Sequence, residues 1–112
     1  MSEEDGEDDI PVDAIVFCTG FDYDFPFLSR DLLTSEDRRV HPLYLQLFHA
    51  KYPSLALIGI PHSVVPFPLF EYQAALVAAV FTRKTPLPTE QERFDWVTDL
   101  YRRMGPNPRN TH

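Results

Sequence analysis

The feature that most constrains this fold is that the 112-residue chain offers at most two apolar runs that can form strands. The first covers residues 13–18 and stops abruptly at Thr19-Gly20, and the second covers residues 55–60 and stops at Pro61. Continuous apolar runs are typical of strands buried on both faces, and such strands need neighbours to satisfy their peptide groups. Two strands make too little sheet to stand alone. The sequence therefore predicts a piece of a larger α/β structure.

Two helices are predicted in the second half of the chain. The first runs from about Pro68 to Arg83, because proline suits a first helical turn and the interior is nearly all apolar. A helix of this kind has to be covered on most sides. The second helix opens at Thr89 as its N-cap, with Glu92 at the capping-box position, and it ends at Gly105.

The region between the two predicted strands lacks a long periodic element. Residues 22–52 are expected to be mostly irregular, with a helical turn near residues 42–49, because Pro26 and Pro42 interrupt regular structure. Eleven prolines against four glycines fit short elements joined by stiff loops.

The charge of the chain is concentrated at one end. Of the formal net charge of −7, six negative charges lie within residues 3–9, and the remainder of the chain is nearly neutral. Such a run repels itself and offers nothing to bury, so residues 1–12 are predicted to be an acidic disordered tail, with residues 1–10 unprotected in hydrogen exchange.

Several functional classes are excluded by composition. A single cysteine, Cys18, allows no disulfide within the chain and fits a reducing compartment, so a cytoplasmic location is expected. We find no signal peptide and no membrane segment, since glycine and proline interrupt the longest apolar tract. Nucleic acid is not an expected partner because the basic residues form no stripe. The histidines and the cysteine show no metal-ligand spacing, so no metal site is predicted.

Two blocks of the sequence carry short motifs in a fixed order. Residues 18–21 read Cys-Thr-Gly-Phe, and Phe-Pro-Phe-Leu follows at residues 25–28. The second block reads Val-His-Pro-Leu-Tyr at residues 40–44, then a run ending Ile-Gly-Ile-Pro at residue 61, then Pro-Phe-Pro-Leu-Phe-Glu-Tyr-Gln at residues 66–73. In this order the two blocks resemble the C-terminal part of flavin-containing monooxygenases, which have Ala-Thr-Gly-Tyr where residues 18–21 read Cys-Thr-Gly-Phe.

The resemblance implies an α/β fold that is the C-terminal portion of a Rossmann-like FAD-binding domain. Short strands plus two C-terminal helices would form this portion, which is incomplete on its own. Residues 13–104 would belong to the FAD/NADP domain, between the tail at 1–12 and a second tail at 105–112. The expected partner is the remainder of the parent flavoprotein.

The resemblance also implies a function and cofactor-contacting residues. The parent would use FAD, NADPH and molecular oxygen to oxygenate nucleophilic nitrogen or sulfur in a small-molecule substrate. Thr19, Gly20 and Phe21 would lie near the junction of the flavin and nicotinamide domains. A second group, Pro66, Phe67 and Pro68, would approach the flavin ring.

The chain lacks the phosphate-binding part of such a site. Its four glycines cannot spell the Gly-x-Gly-x-x-Gly turn that lets backbone amides approach a dinucleotide pyrophosphate. No catalytic residue is assigned, because the oxygenating chemistry belongs to the cofactor and His62 has no motif-defining neighbour. The isolated chain is therefore expected to be inactive.

Two other interpretations remain open. The chain could be a truncated, non-catalytic interaction module derived from the same family. It could also be part of another two-dinucleotide flavoprotein, such as a Baeyer-Villiger monooxygenase. A disulfide reductase relative is disfavoured, because such an enzyme needs a cysteine pair.

Overall fold

A computed structural model describes residues 9–36, 39–61 and 65–105. Within them lie two helices and two short antiparallel sheets, an α/β composition. The strands are β1 (Thr34–Glu36), β2 (Arg39–His41), β3 (Leu43–Tyr44) and β4 (Phe48–His49), and the helices are α1 (Pro66–Phe81) and α2 (Glu90–Met104). Most of the acidic run, His62 and residues 106–112 lie outside the described residues, so the predictions made for them stay predictions.

The middle of the chain folds into two hairpins, and the helical turn predicted near residues 42–49 is wrong. β1 pairs with β2, with Ser35 opposite Val40, and β3 pairs with β4, with Leu43 opposite His49. The turn of the second hairpin closes through Leu45 and Gln46, which have φ of 54° and 53°. Left-handed backbone matches the twist of a tight hairpin, but it normally calls for Gly, Asn or Asp. The sequence therefore carried no turn signal here.

Neither predicted strand forms as expected. Residues 13–18 adopt no regular structure, and Val16 and Phe17 are 82% and 83% exposed. Cys18, which the sequence placed in a buried strand, is exposed as well. Of residues 55–60, Ala56 alone makes a bridge, to Phe48 of β4. A buried strand needs neighbouring strands to satisfy its peptide groups, and the described part of the chain provides no such set of strands for these two runs.

The hydrophobic core gathers around the hairpins. Val40, Leu43 and Ile60 are buried together with Leu33, and the partly buried residues packed on this cluster are Tyr23, Phe25, Leu28, Leu32 and Leu57. Leu47 and Phe48 are almost completely buried, as is Val97 of α2. The ring of Tyr44 meets Trp96 edge to face, with centroids 5.4 Å apart. The hairpins and α2 therefore share one core.

Helix α2 is confirmed in position and in its caps. The Thr89 side chain accepts a hydrogen bond from the Glu92 amide at 3.3 Å, and the Glu92 carboxylate accepts one from the Thr89 amide at 3.1 Å. This reciprocal pair is the predicted capping box. Gly105, with φ of 76°, ends the helix.

Helix α1 is confirmed in kind and shifted in position. It begins at Pro66 and ends at Phe81, two residues earlier at each end than predicted. Its only buried residue is Gln73, whereas Phe67 and Tyr72 are 78% and 77% exposed. Much of this apolar helix therefore has no cover within the described part of the chain.

Candidate functional site

The first predicted group, Thr19, Gly20 and Phe21, lies in an exposed, irregular stretch of chain. Gly20 has φ of 90°, a conformation that glycine adopts without steric cost. The Phe21 ring is 98% exposed, and Thr19 is exposed as well. The group therefore presents a phenyl ring and a closely approachable backbone to whatever lies beside it.

The second predicted group, Pro66, Phe67 and Pro68, is the first turn of α1. Val65 is the N-cap and offers no side-chain cap. The amides of a first turn have no partner within the helix, and proline has none to give, so Phe67 is the one residue of these three with a backbone donor. The helix dipole adds partial positive charge at the same end. This end of α1 is suited to a carbonyl or anionic group that accepts a hydrogen bond from the Phe67 amide, between the apolar rings of the two prolines.

A loop before α1 is attached to the helix by a hydrogen bond that the sequence analysis did not identify. The Gly59 amide donates to Oε1 of Gln73 over 3.0 Å. Gly59 has φ of 93°, and a Cβ added there would lie 3.3 Å from the ring of Phe70. A lone glutamine inside an otherwise apolar stretch of α1 was the available signal for this contact.

Tyr23 connects the loop to the region of the first group. Its hydroxyl donates to the Ile60 carbonyl over 2.7 Å, and its own carbonyl accepts from the Ser35 hydroxyl over 2.8 Å. Tyr23 stands two residues after Phe21, and Ile60 directly follows Gly59. The structure thus ties the segment that carries the first group to the loop that leads into the second.

Two histidines lie away from these groups and serve the fold. His49 is buried, its Nε2 lies 2.6 Å from the Leu32 carbonyl, and its Nδ1 accepts from the amides of Lys51 and Tyr52. These partners assign the proton to Nε2, because a carbonyl can only accept and an amide can only donate.

His41 faces α2. Its Nδ1 lies 3.0 Å from the Tyr101 hydroxyl, and the Arg39 guanidinium stands 4.3 Å from the centre of the Tyr101 ring. Burial lowers the pKa of His41, and the charge of Arg39 and the proximity of His49 lower it further. Burial also raises the pKa of Tyr101 to about 12, against the opposing influence of Arg39. This cluster joins β2 to α2 with neutral His41 and neutral Tyr101.

Apolar residues remain exposed in two stretches, which we call the open apolar segments. The first is residues 10–21, where Ile10, Val12, Ile15, Val16, Phe17 and Phe21 are each more than 60% exposed. The second is the exposed part of α1, which contains Phe67, Tyr72, Ala74, Ala75 and Ala78. Both candidate groups lie in these segments. Contiguous exposed apolar surface marks a region that another surface covers.

The described residues also bear on metal binding and on membrane insertion. Across 9–36, 39–61 and 65–105, no cluster of three His, Cys, Asp or Glu side chains could hold a metal ion. Neither of the two described helices combines the length and apolarity that crossing a bilayer requires.

Comparison with known proteins identifies relatives over most of the chain. A family model described as flavin-binding monooxygenase-like matches residues 2–105. The chain is 43% identical over 94 residues to flavin-containing monooxygenase FMO GS-OX-like 4 of Arabidopsis thaliana, a match that covers 82% of this chain and 21% of the relative. FMO GS-OX-like 7 of the same plant is 47% identical over 85 residues, covering 74% and 18%.

A solved structure gives the same result in three dimensions. S-allyl-L-cysteine S-oxygenase from Allium sativum superposes with a TM-score of 0.78 at 39% identity, over 84% of this chain and 23% of that protein. The chain spans about a fifth of the length of the relatives it matches. With its sequence and its fold both matching over most of its length, the chain belongs to the flavin-binding monooxygenase-like family.

Proposed function

We propose that residues 13–104 form the C-terminal part of a Rossmann-like FAD-binding domain in a flavin monooxygenase that uses NADPH to oxygenate a small molecule. The observation that carries this proposal is the position of the open apolar segments. An isolated globular domain buries such residues, whereas a segment that completes a larger domain leaves them for the rest of that domain. The short span of the chain relative to its relatives supports the same conclusion.

Sulfur is the proposed site of oxygenation in the substrate. The Allium sativum relative, at 39% identity, is an S-oxygenase acting on S-allyl-L-cysteine. A thioether is a soft, weakly polar nucleophile, so selection among such substrates depends on the shape of an apolar pocket. Phe21 and Phe67 have exposed rings that would be available to line such a pocket.

The residues present fit part of an FAD site. The Phe67 amide would donate a hydrogen bond to a carbonyl oxygen of the flavin ring, and the positive end of α1 would favour negative charge that develops there. The neighbouring prolines and the Phe67 ring would exclude water. The pyrophosphate must be held elsewhere, since no glycine-rich turn is present. When bound, FAD would supply the oxygenating chemistry, with NADPH as the reductant and molecular oxygen as the source of the transferred oxygen atom. Gly20 would permit close approach of backbone at the junction with the nicotinamide domain.

The proposal is tested by exchanging segments between relatives. The part of S-allyl-L-cysteine S-oxygenase that matches this chain is replaced by residues 13–104, and the chimera is assayed for bound FAD and for NADPH-dependent S-oxygenation. We expect stoichiometric FAD and measurable turnover. A chimera carrying Gly20→Val should lose both in large part, because a β-branched residue is strained at positive φ. The matched control is Thr98→Val, which introduces the same residue at an exposed position of α2 outside both open apolar segments.

The isolated chain provides the complementary measurement. Titrated with FAD and followed by flavin fluorescence, it should bind weakly, because the pyrophosphate contacts are missing. Tight stoichiometric binding by this chain alone would contradict the proposal and indicate a self-sufficient flavin module. A well-folded chimera that takes up no FAD would instead favour an interaction module.

A further inference from the structure

Gln73 is an unusual residue for its position. It is 7% exposed and lies in the middle of a helix whose neighbouring positions are apolar. A buried amide costs free energy unless it is hydrogen-bonded, and an apolar residue of similar size would pack here without that requirement. Its Oε1 accepts a hydrogen bond from the Gly59 amide over 3.0 Å. Gln73 therefore provides a directional hydrogen bond where an apolar residue would provide only packing.

The same junction is fixed from the opposite side. Gly59 lies against the ring of Phe70, where an added Cβ would come within 3.3 Å, and its φ of 93° excludes most other residues. Phe70 and Gln73 are on the second turn of α1 and stand three residues apart, so they share a helix face. The loop is therefore clamped to α1 by one amide acceptor and one aromatic ring.

Tyr23 adds a third attachment one residue further along the loop. Its hydroxyl donates to the Ile60 carbonyl over 2.7 Å. Three residues from two separate parts of the chain thus determine where the Gly59-Ile60 peptide sits relative to the start of α1.

From these contacts we propose that Gln73 is a positioning residue for flavin binding, acting through Gly59. It holds residues 59–61 against the second turn of α1 and so sets the geometry at the first turn, where Phe67 offers its amide. This inference rests on the proposed function, since the flavin is placed there by that proposal. Gln73 would act on the cofactor site only through Gly59, without contacting the cofactor itself.

The test compares two substitutions of the same residue. Gln73→Met keeps length and volume but has no oxygen to accept from Gly59. Gln73→Glu keeps an acceptor oxygen in either protonation state. Gln91→Met is the matched control, because Gln91 is exposed on α2 and bonds only to Asp95 among the contacts described for it.

Two readouts separate this inference from the proposed function. The first is amide exchange at Gly59, resolved to single residues in the 112-residue chain and in the chimera. Losing one hydrogen bond should speed exchange about tenfold in Gln73→Met, with Gln73→Glu near the original value. The second is the visible absorption spectrum of bound FAD and its dissociation constant in the chimera. Gln73→Met should shift the spectrum and weaken FAD binding about tenfold, with recovery in Gln73→Glu.

Each outcome either supports or overturns the positioning role of Gln73. Changed exchange, a changed spectrum and recovery by Gln73→Glu, with Gln91→Met silent, support the positioning role. Unchanged exchange at Gly59 overturns it, and so does faster exchange with an unchanged FAD spectrum and affinity. If Gln73→Met does not fold, Gly59→Ala perturbs the same contact, and an unaltered spectrum in that variant overturns the role. Failure of the unsubstituted chimera to bind FAD contradicts the proposed function, while the Gly59 exchange still reports whether the clamp exists.

Discussion

The two helices of this chain show opposite relations to their surroundings. α2 has a complete capping box, an amphipathic sequence and a buried face that packs on the hairpins. α1 has no side-chain cap, is apolar on nearly every side and buries a single residue. Among the described residues, α2 packs a whole face on the hairpins, whereas α1 contacts the preceding loop through Phe70 and Gln73 and leaves most of its surface exposed. The difference separates a packed part of the chain from the part that we propose as an interface with the rest of the parent protein.

The largest expected effect compares two phenylalanines. Phe48 is fully buried and Phe67 is 78% exposed. Phe48→Ala should lower the free energy of unfolding of the chain by about 4 kcal/mol, whereas Phe67→Ala should change it by less than about 0.5 kcal/mol. Urea unfolding followed by circular dichroism measures both. In the chimera, Phe67→Ala should become costly, and equal effects of the two substitutions in the isolated chain would break the contrast.

A smaller effect is expected for a buried arginine. Arg93 is 8% exposed, its Nε donates to the Ala50 carbonyl over 2.8 Å, and its guanidinium also reaches the Pro88 carbonyl. Arg93→Met should cost about 2 to 3 kcal/mol, because charged hydrogen bonds are lost and buried carbonyls are left without their donor.

The control for Arg93 is on the same helix. Arg102 is 79% exposed and pairs with Asp99. Arg102→Met should change stability by less than about 0.5 kcal/mol, because exposed ion pairs contribute little. Equal losses at the two positions would show that the anchoring of α2 to the hairpins does not depend on Arg93.

The cap of α2 is expected to contribute about 1 kcal/mol. Thr89→Ala removes the acceptor that the Glu92 amide uses and leaves a first-turn donor unsatisfied. Thr98→Ala, at an exposed interior position of α2, should be neutral or slightly stabilising because alanine is the better helix former. Thermal unfolding distinguishes the two, and a Thr98→Ala loss as large as that of Thr89→Ala would count against the cap.

The smallest expected effect is a pH dependence at His41. Its folded pKa is lowered from 6.5, so the unfolded chain binds the proton more readily. Stability contributed by neutral His41 is therefore complete above about pH 6.5 and is lost as pH falls from there through the lowered folded pKa. The free energy of unfolding of the chain and of the His41→Asn variant is measured across this pH range. Its dependence on pH should be weaker in the variant. Parallel profiles would contradict it.

The sequence predicted best those elements whose ends are set by interactions between residues close together in the chain. Thr89, Glu92 and Gly105 fix the ends of α2 through bonds within a few residues, so the sequence located this helix closely. α1 was displaced by two residues because both Pro66 and Pro68 can occupy a first turn. The family resemblance was recognised from two short motifs and is confirmed.

Contacts between distant residues could not be read from the sequence. The second hairpin turns through left-handed Leu45 and Gln46. Ala50, directly after β4, is held by a hydrogen bond from Arg93, which is far away along the chain. The predicted strand at residues 13–18 failed for the complementary reason, because its backbone partners are not in the described part of the chain. The Gln73 contact to Gly59 likewise depends on how α1 docks on the preceding loop.

The prolines at the start of α1 have one more consequence, which concerns assembly. Pro66 and Pro68 have fixed φ angles, and Val65 before them is extended, with ψ of 110°. The backbone at this end therefore samples few conformations even before it meets another surface, and little conformational entropy remains to be lost on contact. The exposed end of α1 is already ordered, so a surface that docks on it meets a preorganised edge.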